Sequence, residues 1–209
     1  MLAQLIVAVD YVAVAVFAVT GALVASRKQL DIIGFLWLAI VTGVGGGTVR
    51  DLLLDLPVFW IKNPGYIVVA AAAAILVYLT AHMPRSRYQL ILWLDAIGLA
   101  FYAVLGAEKA LVAGAAPLIA VVMGMITASL GGIIRDVLGH EPSILLKKEI
   151  YITAALAGAT VYVTALGLTL PAIAAAVLGA AAAFGLRSGA ILKGWSLPTY
   201  RSRPGREVD

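Results

Sequence analysis

The sequence has no cysteine and few charged residues. The absence of cysteine excludes a disulfide framework, a thiolate metal site and thiol redox chemistry. Charged residues make up 12% of the chain and hydrophobic residues 63%, whereas a soluble domain is usually about one quarter charged and about half apolar. Such an excess of apolar residues indicates a chain embedded in lipid.

The chain also lacks the residue groupings of an enzyme. Its two histidines, His82 and His140, have no nucleophile or metal-ligand residue at a useful spacing. We therefore expect no catalytic residue, no metal site and no cofactor. The net charge of +4 does not indicate binding to nucleic acid, because the basic residues lie in short segments between apolar runs.

Seven apolar segments are long enough to cross a bilayer, whose hydrocarbon core of about 30 Å requires about 20 helical residues. They are residues 2–25, 32–55, 65–82, 88–111, 116–139, 148–167 and 170–187. The first is interpreted as a mature helix rather than a signal peptide, because it has no basic n-region and contains Asp10. The expected fold is an all-α polytopic membrane protein with seven transmembrane helices.

The distribution of basic residues predicts the orientation in the membrane. With the N-terminus outside, twelve of the 15 lysines and arginines lie on the inner side and three on the outer side, as the positive-inside rule requires. Residues 188–209 are then a basic cytoplasmic tail. Tyr66 and Tyr151 lie near segment ends and are interpreted as part of an interfacial aromatic belt.

The chain repeats itself at an offset of 85 residues, without a gap. Scarce residue types coincide at this offset: Asp10 with Asp95, Gly46 and Gly47 with Gly131 and Gly132, Arg50 and Asp51 with Arg135 and Asp136, and Lys62 with Lys147. Each copy holds three apolar segments, and because three is odd the second copy enters from the opposite side of the membrane. The expected organisation is a first three-helix repeat (1–87), a second, inverted repeat (88–168), a seventh helix (169–187) and the tail.

Glycine clusters occupy the second and fifth apolar segments. The first cluster is Gly45, Gly46 and Gly47, followed by Thr48; the second is Gly131 and Gly132, preceded by Ser129. Glycine inside a helix costs about 1 kcal/mol relative to alanine, so the clusters predict a bend or a short unwound turn. Irregular backbone at membrane depth lines a water-filled cavity or is buried in protein, and its freed carbonyls and amides bind ions. Close helix packing is the alternative explanation.

An Arg-Asp pair follows each glycine cluster. A charge at the bilayer centre costs at least about 2.5–3.5 kcal/mol, so each needs a partner. Adjacent helical residues point about 100° apart. We therefore expect pairing between the repeats, Arg50 with Asp136 and Arg135 with Asp51. The alternative is that these residues extend to the membrane surface.

Asp10 and Asp95 lie about a third of the way into the first and fourth segments. In inverted repeats they approach the midplane from opposite faces, where an acidic pair attracts cations or couples protons. A hydrogen bond to a neighbouring helix is the alternative. Lys62, Lys147 and Lys148 follow the glycine-bearing segments and are expected at pore mouths or at lipid headgroups.

Together these residues resemble the prokaryotic trimeric intracellular cation (TRIC) channels. The resemblance covers residues 5–187 and rests on the two repeats, the seventh helix and the signatures Gly-Gly-Gly-Thr-x-Arg-Asp and Gly-Gly-x-x-Arg-Asp. It implies a homotrimer in the inner (plasma) membrane of a prokaryote, with one pore in each protomer and conduction of K⁺ and Na⁺. The bends at the glycine clusters, with Thr48 and Ser129, would line the pore. The basic lipid-binding motif of the animal members has no clear match between residues 88 and 111.

Two other functions would use the same residues. A secondary transporter of a small amino acid such as glycine would bind its substrate at the broken helices and couple a cation through Asp10 or Asp95. A structural membrane protein would use these acids for stability alone. The resemblance favours the channel.

Overall fold

The chain forms eight helices in the residues described by the structure, a computed structural model: 2–83, 86–142 and 150–198. The helices are α1 (Leu2–Arg27), α2 (Ile32–Leu53), α3 (Phe59–Lys62), α4 (Gly65–Thr80), α5 (Arg87–Val112), α6 (Pro117–Leu138), α7 (Ile152–Gly167) and α8 (Ala172–Lys193).

Seven of these helices are apolar and correspond to the seven predicted segments. Helices α1, α2, α5, α6 and α8 have 22 to 26 residues, enough to cross a membrane, whereas α4 and α7 have 16 residues each. Helix α3 is a single turn of four residues between α2 and α4. The predicted all-α membrane fold with seven apolar helices is confirmed.

Local sequence signals set several helix ends. The side chain of Asp31 accepts a hydrogen bond from the Gly34 amide at 2.7 Å and caps α2, and Ser86 caps α5 in the same way. Pro117 opens α6, where its missing N–H has no helical partner to lose. Gly194 ends α8 in the left-handed conformation, with φ of 66°.

The two repeats pack their helices in the same way. Helix α1 packs on α2 and α4, and its counterpart α5 packs on α6 and α7. The halves meet through corresponding helices, α1 against α5 and α2 against α6. A twofold axis that relates the two halves brings each helix against its own counterpart in this way. Helix α8 lies outside the repeat and packs on α5 and α7.

Helices α2 and α6 cross at the glycine clusters. A side-chain carbon added at Gly131 would lie 2.6 Å from the Thr42 carbonyl oxygen, and one added at Gly46 would overlap the Thr127 carbonyl oxygen. Because residue 42 faces residue 131 and residue 46 faces residue 127, the two helices run in opposite directions. The inverted relation of the repeats is therefore confirmed.

The glycine clusters do not interrupt their helices. Helix α2 is continuous over Ile32–Leu53 and α6 over Pro117–Leu138, so the predicted unwound turn is wrong, while the bend stays a prediction. Close packing, the alternative, explains the glycines: Gly46 and Gly131 let the two backbones touch, and Gly47 accommodates the Phe59 ring. These contacts offset the helix-propensity cost of about 1 kcal/mol per glycine.

Helix α8 continues past its predicted end at residue 187. It runs to Lys193, so the first six residues of the predicted tail are helical. Arg187, counted as a cytoplasmic charge, is fully buried. The chain then folds back: the Trp195 ring packs on Gly189, and the Trp195 carbonyl accepts a hydrogen bond from the Ile150 amide at 3.3 Å. Residues 199–209 lie outside the described residues.

Substituting a glycine at the crossing tests this packing. We expect Gly46→Ala and Gly131→Ala each to lower stability by about 1–3 kcal/mol, because the added methyl group forces two backbones apart. The measurement is the melting temperature of the purified protein in detergent. Gly185→Ala on α8 is the matched control, since an added carbon there meets no atom within 4 Å. Equal melting of the crossing variants and this control would contradict the packing role.

Candidate functional site

A buried ion-pair cluster lies at the C-terminal end of α2. Arg50 is 2% exposed and Asp51 is 0% exposed, and the Arg50 Nε atom donates to the Asp51 carboxylate at 2.8 Å. The Lys109 ammonium, from α5, contacts both oxygens of the same carboxylate at 2.9 Å. The Phe59 amide at the start of α3 also donates to it, at 3.0 Å. Asp51 therefore joins α2, α3 and α5 at one point.

Asp10 lies beside this ion-pair cluster. The Tyr66 hydroxyl, at the start of α4, donates to the Asp10 carboxylate at 3.0 Å, and the Tyr11 ring stacks on the Tyr66 ring at 4.1 Å. Arg50, Lys109 and Asp51 all lie within electrostatic range of Asp10. We call Asp10, Arg50, Asp51, Tyr66 and Lys109 the first-repeat cluster; its four charged groups sum to zero.

A related cluster lies at the C-terminal end of α6. Arg135 is fully buried, and its guanidinium donates to Asp136 at 2.9 Å, to Asp95 at 2.7 Å and to the Thr20 hydroxyl at 2.9 Å. Two carboxylates thus share one arginine. A buried arginine is stabilised when its donors are satisfied in this way.

Tyr151 and Arg187 complete this second group. The Tyr151 hydroxyl and the Asp95 carboxylate both lie against Gly132, whose missing side chain makes room for them. Arg187 of α8 donates to the Ile150 carbonyl at 3.0 Å, and its guanidinium lies 5.2 Å from the Tyr151 ring centre. We call Asp95, Arg135, Asp136, Tyr151 and Arg187 the second-repeat cluster.

The predicted pairing of charges between the repeats is wrong. Arg50 pairs with Asp51 and Arg135 with Asp136, each within its own helix. The antiparallel crossing of α2 and α6 explains this. Each arginine lies six residues, about 9 Å along the helix axis, beyond the centre of the crossing, and the two arginines lie on opposite sides of that centre. The membrane-surface alternative also fails, since both arginines are buried in protein.

Asp10 and Asp95 do not form an acidic pair. Asp10 lies near the end of α2 and Asp95 near the end of α6, and these ends point to opposite sides of the bundle. Both acids follow the alternative prediction instead, because each accepts a hydrogen bond from another helix: Asp10 from Tyr66 and Asp95 from Arg135.

Thr48 and Ser129 make hydrogen bonds close to their own positions in the chain, and their place in a pore stays a prediction. Thr48 donates to the Val44 carbonyl at 2.7 Å and accepts from the Trp60 indole at 2.8 Å, while Ser129 donates to the Met125 carbonyl at 2.8 Å. Lys62 is exposed at the end of α3, and its role at a pore mouth or headgroup stays a prediction. Lys147 and Lys148 lie outside the described residues.

Four residues of the two clusters were not predicted from the sequence to belong to a charged site. Lys109 interrupts an apolar run three residues before the end of α5, a signal that marks it as a partly buried charge. Tyr66 and Tyr151 coincide at the repeat offset, which a membrane-interface role alone does not require. Arg187 gives no such signal. Composition places the end of the last helix at residue 187, whereas α8 continues to Lys193 and Arg187 is buried within it.

A separate exposed ion pair joins α1 to the end of α6. Glu141 accepts from Arg27 at 3.1 Å and lies 3.3 Å from the Lys28 ammonium, which also donates to the His140 carbonyl at 3.2 Å. Partial burial raises the pKa of Glu141, but its hydrogen bonds and attraction to these two bases outweigh that effect and hold the pKa below its usual range.

This shift predicts a pH-dependent contribution of Glu141 to stability. A carboxylate with a depressed pKa stabilises the fold above its unfolded pKa of about 4.3, and this contribution is lost as the pH falls through the folded value. We expect Glu141→Gln to lower the melting temperature slightly at pH 7, because Arg27 and Lys28 are one-third exposed. The difference from wild type should vanish well below pH 4.

Asp55→Asn is the control for this prediction. Asp55 is exposed and has no ion pair among the described residues, so its neutralisation should leave the pH dependence of melting as in wild type. A Glu141→Gln variant that melts like wild type at pH 7 would show that the ion pair contributes nothing.

The fold and the clusters define a multi-pass membrane protein built on an inverted repeat, with a charged cluster at each end of its central helix pair. A family model described as "Glycine transporter" matches residues 7–82 and again residues 92–167, so the two matches are also 85 residues apart. Among curated relatives, the UPF0126 inner membrane protein YadS of Escherichia coli is 44% identical over 91% of this chain and 94% of its own. A UPF0126 membrane protein of Vibrio cholerae is 41% identical over 94% of this chain and 83% of its own.

Solved structures of TRIC channels share the fold. The TRIC trimeric intracellular cation channel orthologue from Rhodobacter sphaeroides is 49% identical with a TM-score of 0.90, covering 92% of this chain and all of that one. A second TRIC cation channel is 31% identical with a TM-score of 0.83, covering 94% of this chain and 98% of its own. The chain belongs to the family matched by the model, which its structural neighbours identify as the family of the prokaryotic TRIC channels.

Proposed function

We propose that the protein is a channel for monovalent cations, K⁺ and Na⁺, and that it works as a homotrimer with one pore in each protomer. The observation that carries this proposal is the likeness to TRIC cation channels over nearly the whole chain. The two clusters support it as well, because both lie within one chain, at the two ends of the α2–α6 pair, where a path along these helices would begin and end. A pore between protomers would not require them.

Carboxylates at both ends suit a cation path. Asp10 and Asp51 lie at one end, and Asp95 and Asp136 at the other. Each carboxylate is balanced by bases, which keeps the resting cluster neutral in a lipid environment. A cation entering the cluster would take the place of a base on a carboxylate, as selectivity sites replace a hydration shell.

Lys109 is the base best placed to move. Its side chain is 33% exposed, whereas that of Arg50 is 2% exposed. Its ammonium occupies both oxygens of Asp51, and the α2 and α6 backbones touch at the crossing. In the proposed channel this arrangement is the closed state, and opening requires Lys109 to leave Asp51.

We place the N-terminus outside and the C-terminus in the cytoplasm, as the loop charges predict, with the first-repeat cluster on the outer side. The relatives named as inner membrane proteins support this membrane. Lipids are then the surrounding partner. We propose no enzymatic activity, no cofactor and no binding of nucleic acid.

A transporter of glycine is the second candidate. The family description supports it, and so does the chemistry of the first-repeat cluster, where a carboxylate and an ammonium lie close together. Asp10 would bind the ammonium group of a zwitterion, and Lys109 would bind its carboxylate. This function would require a substrate site that opens to one side at a time.

Single-channel recording in planar bilayers with asymmetric KCl tests the proposed channel. Discrete openings that reverse near the K⁺ equilibrium potential are expected. We expect Lys109→Gln to raise the open probability severalfold, because Asp51 keeps Arg50 and the Phe59 amide while the movable base is lost. Lys193→Gln is the matched control, an exposed lysine at the end of α8 that lies over the Trp195 ring.

Two other results would contradict the proposed gate or the proposed channel. Unchanged gating in Lys109→Gln would remove the lysine from the gate but leave the channel. A silent bilayer, together with saturable glycine uptake by liposomes of the same preparation, would overturn the channel in favour of the transporter.

A further inference from the structure

An apolar cavity of about 210 Å³ lies between α1, α5, α7 and α8, and none of its lining residues belongs to either charged cluster. Ile173 and Val177 of α8 line it and are exposed, so the cavity opens on the lipid-facing surface of the bundle. An apolar cavity of about 150 Å³ stays dry and binds apolar molecules. In a bilayer, the apolar groups that reach this surface are the acyl chains of lipids.

Two polar side chains interrupt the apolar wall of this cavity. Of the described residues that line it, only Glu108 of α5 and Tyr162 of α7 are polar. The Tyr162 hydroxyl donates a hydrogen bond to one carboxylate oxygen of Glu108. Glu108 has no ion pair among the residues that the structure describes, and the adjacent Lys109 pairs with Asp51 instead. The cavity therefore contains an acid whose charge no described base compensates.

The fold itself does not require this acid. The repeat offset of 85 residues places Leu23 at the position that corresponds to Glu108, and Val77 at the position that corresponds to Tyr162. Both are buried in the apolar core. Two apolar side chains thus satisfy the packing in the first repeat, whereas the second repeat has a carboxylate and a hydroxyl. A binding role accounts for that difference.

The depth of Glu108 indicates which cation it meets. It lies four residues, about 6 Å, before the end of α5 at Val112, and Tyr162 lies five residues before the end of α7 at Gly167. The carboxylate is therefore near the edge of the hydrocarbon layer, within reach of lipid headgroups. A charge at this depth is costly without a partner. A primary ammonium supplies both the opposite charge and N–H donors for the second carboxylate oxygen.

We propose that this cavity is a binding site for a phospholipid with a primary ammonium headgroup, of the phosphatidylethanolamine type. One acyl chain occupies the cavity, and the headgroup ammonium donates to the Glu108 carboxylate, which Tyr162 holds in place. Helix α8, which has no counterpart in the repeat, forms one wall of the chain site. The site does not depend on whether the protein conducts ions.

Lipid-dependent melting of the purified protein in detergent tests the headgroup contact. We expect dioleoylphosphatidylethanolamine to raise the melting temperature by about 3 °C more than dioleoylphosphatidylcholine, whose quaternary nitrogen has no N–H donor. Glu108→Gln keeps an acceptor for Tyr162 but loses the charge, so the two lipids should raise its melting temperature equally. Asp55→Asn is the matched control, because it removes an exposed acid outside the cavity and should retain the difference.

A cavity-filling variant tests the place of the acyl chain. Ala176 lines the cavity, and Ala176→Leu leaves Glu108 and Tyr162 unchanged. We expect this variant to reduce the stabilisation by both lipids by about twofold or more, because the larger side chain takes the volume of the acyl chain. Gly185→Ala on the same helix is the control, since an added carbon there meets no atom within 4 Å.

Four results would overturn the proposal. The first two are equal stabilisation of the wild type by both lipids, and a preference for phosphatidylethanolamine that persists in Glu108→Gln. The third is an Ala176→Leu variant that both lipids stabilise as strongly as the wild type. The fourth is a change of oligomeric state in Ala176→Leu, measured by light scattering, which would assign the cavity to a contact between subunits.

Discussion

The burial of Arg50 and Arg135 in a lipid-embedded bundle is the constraint on which the rest of the structure depends. An unpaired charge at this depth is costly, so each guanidinium must have acidic partners within reach. The following aspartate supplies the first partner in each repeat. Helix α5 supplies Asp95 as a second partner of Arg135, which ties the first helix of the second repeat to the end of its second helix. Asp10 of α1 lies near Arg50 but accepts its hydrogen bond from Tyr66 of α4.

Glycine makes this arrangement possible at the bundle centre. The contact of the α2 and α6 backbones at Gly46 and Gly131 brings the two repeats together across an antiparallel crossing. The same crossing sends the two arginines to opposite ends. Close packing and charge separation are therefore two results of one geometry, and a wider side chain at the crossing would disturb both.

The repeats are alike in fold but not in electrostatics. Both arginines have an aspartate beside them and a second acid from a preceding helix. The additional base is Lys109 of the neighbouring repeat in one cluster and Arg187 of the extra helix in the other. Lys109 has no counterpart at the 85-residue offset, where the chain has Val24.

The sequence by itself determined the membrane environment, the seven apolar helices and the inverted repeat, because hydropathy and coincident scarce residues depend on chain order alone. It also singled out Asp10, Asp95 and both Arg-Asp pairs as members of charged sites. Only the tertiary structure decided how these charges pair, whether the glycine helices break, and that Arg187 is buried. Those outcomes depend on where two helices cross and on which side chains fill the space beside a glycine. Residues that are distant in the chain make these contacts.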